Sequence, residues 1–283
     1  MYTTLISAAD LAANIDNPAW VILDCRHDLM NLAAGREAYA IGHLPNAQFA
    51  DLENKLSGPK RGADGVFRGR HPLPERAELI ATLRAWGIDD DTQVIGYDAH
   101  GGMYAARLWW MLRWVGHQAV AVLDGGMAAW QAAAQPLRTD VPSRAPGAIT
   151  ERAPLASTAS ADDVLCNIDS GKRIVIDARA ADRFRGENET IDPVGGHIPG
   201  AKNRFFKDNL GADGRFKDAG QLKADFAPLI EDPSKAIMQC GSGVTACHNL
   251  LALEVAGLPG AALYPGSWSE WCADPARPVA TGG

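Results

Sequence analysis

Cys240 ends the apolar run Ala236-Ile-Met-Gln239, is followed by Gly241, Ser242 and Gly243, and precedes the amphipathic stretch Thr245-Ala-Cys-His-Asn-Leu-Leu-Ala-Leu253. A thiol in that setting can act as a nucleophile. Glycines at the first and third positions after it let successive backbone N–H groups turn inward as an anion-binding nest, and a helix starting there aims the positive end of its dipole at the same spot. Such surroundings favour the thiolate, the reactive form of cysteine. The plainer alternative is a cysteine buried at a strand end, since Cys is among the most buried residue types. That alternative leaves both glycines and the strand-to-helix switch without a purpose. The backbone amides of Gly241, Ser242, Gly243, Val244 and Thr245 are therefore expected to hold the anion that meets Cys240.

The elements that must position this loop come twice. Ser7-Ala-Ala-Asp10 recurs as Ser160-Ala-Asp-Asp163, and Val21-Ile-Leu-Asp24-Cys-Arg26 recurs as Val175-Ile-Asp177-Ala-Arg179 at the same offset. Gly42-His43-Leu-Pro45 returns as Gly196-His197-Ile-Pro199, and Gly62-Ala-Asp-Gly65-Val-Phe67 as Gly211-Ala-Asp-Gly214-Arg-Phe216. Such self-similarity marks a tandem duplication. In the alignment of the copies Val94-Ile-Gly-Tyr-Asp98 matches Ala236-Ile-Met-Gln-Cys240, so Asp98 stands where Cys240 does and the first copy lacks the nucleophile.

Short apolar strands alternate with helical patterns in both copies. Strands are predicted near 20–25, 93–98 and 119–124, with helices near 75–86 and 103–115. In the second copy strands fall near 173–177, 235–239 and 261–264, with helices near 219–231 and 245–256. That alternation predicts an α/β fold, each copy a parallel sheet covered by helices on both faces, with the Cys240 loop at a carboxyl strand end where such sheets place their sites. The copies predict a first domain over 1–135, a Pro-rich linker over 136–156 and a second domain over 157–283. The first copy carries extra residues in its middle, including Gly69-Arg-His71-Pro-Leu-Pro74.

Composition narrows the classes. The chain has 283 residues, a formal net charge of −7 and five cysteines without metal-site spacing. Nothing in it forms a basic patch for nucleic acid, no apolar run is long enough to cross a membrane, and no signal peptide is apparent. Reduced thiols and a cytoplasmic location are expected, as are no metal and no organic cofactor.

With an inactive first copy, two Gly-His-Leu/Ile-Pro turns, the Cys240-Gly-Ser-Gly-Val-Thr245 loop and the Asp177-Ala-Arg179…Arg183-Phe-Arg-Gly186 segment in order, the chain resembles the two-domain sulfurtransferases of the rhodanese family. Within it the loop is most similar to that of 3-mercaptopyruvate sulfurtransferases, because thiosulfate-preferring members place cations where Gly241 and Ser242 stand. The resemblance implies that Cys240 carries sulfur as a persulfide, and that Ser242, His71 and an acid from Asp51 or Glu53 relay a proton. It implies that Arg183 grips the donor's anionic end. The family pattern expects a second arginine within Thr190-Ile-Asp192-Pro193, where none stands, and Arg185 and Arg204 are the remaining candidates. The implied partners are a small-molecule sulfur donor and a thiol, thioredoxin-like or cyanide acceptor.

Other readings stay beside these. His71 has the alternative of a solvent-exposed loop histidine beside two prolines. His43 and His197, present in both copies, are expected to be structural, Cys247 to be core, and most tryptophans to be core or interface residues. A Cys-dependent phosphatase is excluded because it needs an arginine where Ala246 stands. A non-catalytic module leaves Cys240 unexplained, whereas thiosulfate and protein-borne persulfide remain alternative donors.

Overall fold

The computed structural model describes residues 1–283, which form two compact units. Unit one is Met1–Ser57, Pro74–Leu155 and Ala212–Phe216; unit two is Gly58–Leu73, Ala156–Gly211 and Lys217–Gly283. The repeat boundaries expected from the sequence differ from this division in two short segments. Of these, Gly58–Leu73, which carries Arg70 and His71, belongs to the unit of Cys240.

Unit one is built on β1 (Leu5–Ile6), β2 (Trp20–Asp24), β3 (Ala47–Phe49), β4 (Gln93–Tyr97) and β5 (Val120–Leu123), in the order β1-β5-β4-β2-β3 with every pair parallel. Unit two repeats the plan with β6 (Ser157–Thr158), β7 (Ile174–Asp177), β8 (Lys202–Asn203), β9 (Ala236–Gln239) and β10 (Ala262–Leu263), ordered β6-β10-β9-β7-β8 and again parallel throughout. The central strands are mostly apolar and, apart from the first residues of β2 and β7, buried along their length, as expected of strands covered on both faces. The short strands β1, β3, β6 and β8 escape a reading by periodicity because two or three residues contain no period. No helix is long and apolar enough to cross a membrane.

The duplicated motifs have local jobs. Ser7 and Ser160 are helix N-caps, accepting from the amides of Asp10 and Asp163, and Ser160 with Asp163 forms a complete capping box. Arg26 forks onto Asp24 and donates to Gly42 O, as Arg179 forks onto Asp177 and donates to Gly196 O. His43 stacks on Tyr39 at 3.9 Å and meets its carbonyl, and His197 does the same with Phe184 at 3.8 Å. Both histidines are thus structural. Trp130, Trp268 and Trp271 are core residues of their sheets. The Pro-rich segment is irregular but not loose: Gly147 and Ile149 bond Arg84 and Ile88, and Arg152 bonds Val115, all within unit one.

The helix after Cys240, Thr245–Val255, departs from the expected amphipathic pattern. All eight residues from Ala246 to Leu253 are buried, His248 and Asn249 among them. Its polar side is satisfied internally, since Asn209 bonds Asn249 and meets His248 Nδ1, while Asn249 donates to Arg204 O. A helix enclosed on all sides is a rigid base for the loop it begins.

Candidate active site

In unit two the chain runs from β7 to the edge strand β8 and then returns to β9 on the other side of β7. The crevice at the carboxyl ends of β7 and β9 is therefore where the strand order reverses, the position at which open α/β sheets bind ligands. Cys240 leaves the end of β9 and Asp177 the end of β7.

Cys240 lies at the floor of this crevice, 1 % exposed. Its backbone is clamped: its N–H donates to Ser267 Oγ at 3.1 Å, its carbonyl accepts from Trp268 N at 2.9 Å, and Gly241 O accepts from Ser269 N at 3.0 Å. The Ser242 N–H points at Cys240 Sγ over 3.5 Å. Gly243 has φ +74°, and a Cβ there would run into Pro265 O. The turn is thus fixed by backbone on both sides. We expect Gly243→Ala to cost about 1–3 kcal/mol through its left-handed backbone alone, with sulfur transfer falling as the loop shifts. Denaturant titration beside an activity assay checks this, and wild-type stability in the variant would show the turn to be adaptable.

Two guanidinium groups close over Gly241. A Cβ on this residue would stand 2.6 Å from an Nη of Arg70 and 3.7 Å from one of Arg183. Arg70 arrives on the Gly58–Leu73 segment, whose backbone docks through Arg70 N–H to Ser269 Oγ at 3.1 Å. His71, next in line, is buried with its Nδ1 2.8 Å from Ser242 Oγ. The imidazole is a buried partner of the loop hydroxyl, not a solvent-exposed histidine. Behind the cations lie acids. Arg183 forks onto Glu189 at 2.9 and 3.0 Å and reaches Asp192 at 3.2 Å, and Arg70 is paired with Asp192. Glu189 also accepts from Arg179, whose guanidinium lies 4.6 Å over the Trp268 ring.

Unit one holds the same cradle with a different occupant. The Asp98 carboxylate accepts from the amides of His100, Gly102, Tyr104 and Ala105 at 2.8 to 3.0 Å. A carboxylate bound by four backbone N–H groups shows what this strand-loop-helix geometry prefers, namely an anion. In the first copy the side chain itself fills the nest, leaving no group to bond sulfur.

A family model described as "Rhodanese-like domain" matches residues 7–133 and again 160–274. The chain belongs to the rhodanese family of sulfurtransferases. It is 48 % identical, over 98 % of both chains, to a Pseudomonas aeruginosa protein named "Probable 3-mercaptopyruvate sulfurtransferase". It is 34 % identical to the thiosulfate sulfurtransferase of Mus musculus, over 96 % of this chain and 92 % of that one. The crystal structure of SseA from Escherichia coli, a 3-mercaptopyruvate sulfotransferase, superposes with a TM-score of 0.81 at 33 % identity, covering 95 % of this chain and all of the other.

Against that rhodanese background the remaining site candidates divide. Arg185 is not beside Gly241; it forks onto Glu187 at the surface. Arg204 is engaged with Asp208, Asp225 and Asn209. The second guanidinium beside Gly241 is that of Arg70, which the sequence reading overlooked. Its only sequence signal was adjacency to His71, because it lies far upstream of Arg183 in the chain. Asp51 and Glu53 belong to unit one. Burial raises the Asp51 carboxyl, but bonds from Asn54 and Arg36 outweigh it and hold the group below the usual carboxylate range. Glu53 lies 4.0 Å from His27 Nε2. Val244 and Thr245 open the buried helix, and Cys247 is core, its thiol donating to Gly243 O at 3.3 Å.

Proposed function

We propose that this rhodanese-family chain moves sulfane sulfur from 3-mercaptopyruvate to a thiophilic acceptor through a persulfide on Cys240. The Cys240 thiolate attacks the donor sulfur, an S–S bond forms, and the donor C–S bond breaks with its electron pair on carbon. The resulting enolate takes up the proton that the donor thiol gave up, yielding pyruvate and an enzyme persulfide. A thiol, a thioredoxin-like protein or cyanide then removes the outer sulfur. The protein's tasks are to hold the anionic sulfur in the amide nest, to grip one carboxylate and to route one proton.

The observation that carries this reading is the 2.8 Å contact between His71 Nδ1 and Ser242 Oγ, two residues past the nucleophile. An imidazole on a hydroxyl beside the reacting sulfur is a proton route. An enolate leaving group needs a proton, and sulfite does not. The anionic end falls to Arg183 and Arg70, whose guanidinium forks match carboxylate geometry. The five free thiols support a reducing, cytoplasmic setting.

A second reading takes thiosulfate as the donor. The guanidinium groups of Arg70 and Arg183 beside Gly241 favour it, because they supply by tertiary contact the cations absent from the loop itself. Initial rates with the two donors and one acceptor discriminate. We expect a higher kcat/KM with 3-mercaptopyruvate, and His71→Ala to slow that reaction by roughly 10²-fold or more while affecting thiosulfate less. Faster turnover of thiosulfate by the unmodified protein at equal subsaturating concentration would reverse the assignment.

A further inference from the structure

The cations over Gly241 are not free charges. Asp192 lies between Arg70 and Arg183, bonded to both, with its side chain 3 % exposed against about a fifth for each arginine. Glu189 takes the rest of Arg183's fork and is as deeply buried. Together with Arg179 on Asp177 and Glu189, the cluster contains three guanidinium groups and three carboxylates, a formal balance of zero. The Arg70 Nη nearest Gly241 is not the one paired with Asp192, whereas the Arg183 nitrogen nearest Gly241 is the one that also bonds Glu189 and Asp192.

We propose that Asp192 is a specificity-determining residue of this site, holding Arg70 over Gly241 while cancelling enough of its charge that a singly charged donor is favoured over a dianion. The inference rests on the sulfur-transfer reading above, but concerns donor charge and not which donor is physiological. A carboxylate needs guanidinium N–H donors to meet it, and the Arg70 Nη over Gly241, with the Arg183 nitrogens beside it, can supply them. A dianion doubles its repulsion from Asp192 and Glu189 as well as its attraction to the guanidinium groups, so beside a cluster whose charges cancel its second charge gains little against the larger cost of leaving water. The low exposure of the acids keeps solvent from screening that term. Burial raises the Asp192 carboxyl above its usual range, opposed by Arg70, Arg183 and Arg179 and assisted by Glu189, as expected for an acid packed into an already neutral cluster. Asp192 touches arginines and not the reacting atoms, so it is a positioning residue.

Asp192→Asn and Asp192→Glu, made in the full chain, test this. With Asn the ratio of kcat/KM for thiosulfate to that for 3-mercaptopyruvate should rise about tenfold, the equivalent of about 1.4 kcal/mol of charge interaction. Glu, which restores the charge, should keep the wild-type ratio. A merely structural aspartate would lower both rates together and leave the ratio unmoved in both variants, overturning the proposal. A measurement on the unmodified protein does not depend on how either variant folds. Calorimetric titration should show pyruvate, a monoanion, binding at least as tightly as sulfate, a dianion, and tighter sulfate binding also overturns it. The donor reading fails separately. If the wild type prefers thiosulfate yet Asn raises the ratio further and Glu does not, Asp192 retains its role and only the donor changes.

Discussion

Replacing Cys240 by serine is expected to abolish sulfur transfer, with a loss on the order of 10⁴-fold or more, while leaving the fold intact. A hydroxyl is not ionised at neutral pH and forms no persulfide. The fold should survive because what clamps position 240 is backbone: the bonds to Ser267 Oγ, Trp268 N and Ser269 N involve main-chain atoms of residues 240 and 241. The sharper form of the result is chemical. After treatment with donor, mass spectrometry should find one added sulfur, about 32 Da, on Cys240 alone, because a thiolate is what attacks the donor. The other buried thiols are held protonated or occupied. Burial, with Asp98 and Asp24, pushes the Cys25 thiol well up, burial pushes Cys272 up to about 11, and Cys247 donates to Gly243 O. Cys166 is exposed and far from any such nest in sequence, so it serves as an internal control. Sulfur found on Cys247 in place of Cys240 would overturn the assignment.

Removing either guanidinium over Gly241 should weaken donor use next most strongly. Arg183→Ala and Arg70→Ala each delete a charge-assisted fork, worth about 1.5–3 kcal/mol, or roughly 10- to 10²-fold in kcat/KM carried mainly by KM. The two differ in their side effects. Arg183 is a main partner of buried Glu189, so its loss leaves a buried carboxylate short of a partner and should lower stability as well. Arg70→Ala leaves Asp192 still bonded to Arg183 and should fold more nearly as the wild type. Arg183→Lys is expected to recover only part of the loss, since an ammonium has no planar fork. Steady-state kinetics with thermal unfolding on each variant separates the effects. Unchanged KM in both alanine variants would remove the anion site from Gly241.

Much of this molecule was legible in one dimension, for identifiable physical reasons. The sequence by itself determined the duplication, the α/β alternation and the loop that carries Cys240. A capping serine, a Gly-His turn and a strand that ends at Cys240 are local patterns whose chemistry is complete within a few residues. The central strands were readable because burial on both faces leaves them mostly apolar, whereas β1, β3, β6 and β8 were too short to carry a pattern. The absence of a nucleophile at Asp98 was equally plain. That its carboxylate fills a nest of four amides was not, because this depends on loop dihedral angles.

What only the tertiary structure decided is the electrostatics over the thiol. The sequence reading searched for the second arginine downstream of Arg183 and considered Arg185 and Arg204. The fold uses Arg70, which lies 113 positions before Arg183, and sets Asp192 between the two. His71 likewise could not be told from a loop histidine until its Nδ1 was found at Ser242 Oγ. Charges act through space over a few ångströms regardless of sequence separation. The identity and surroundings of a nucleophile's local loop are therefore written in sequence, while the field around it is set by which distant segments the fold brings to the carboxyl end of the sheet.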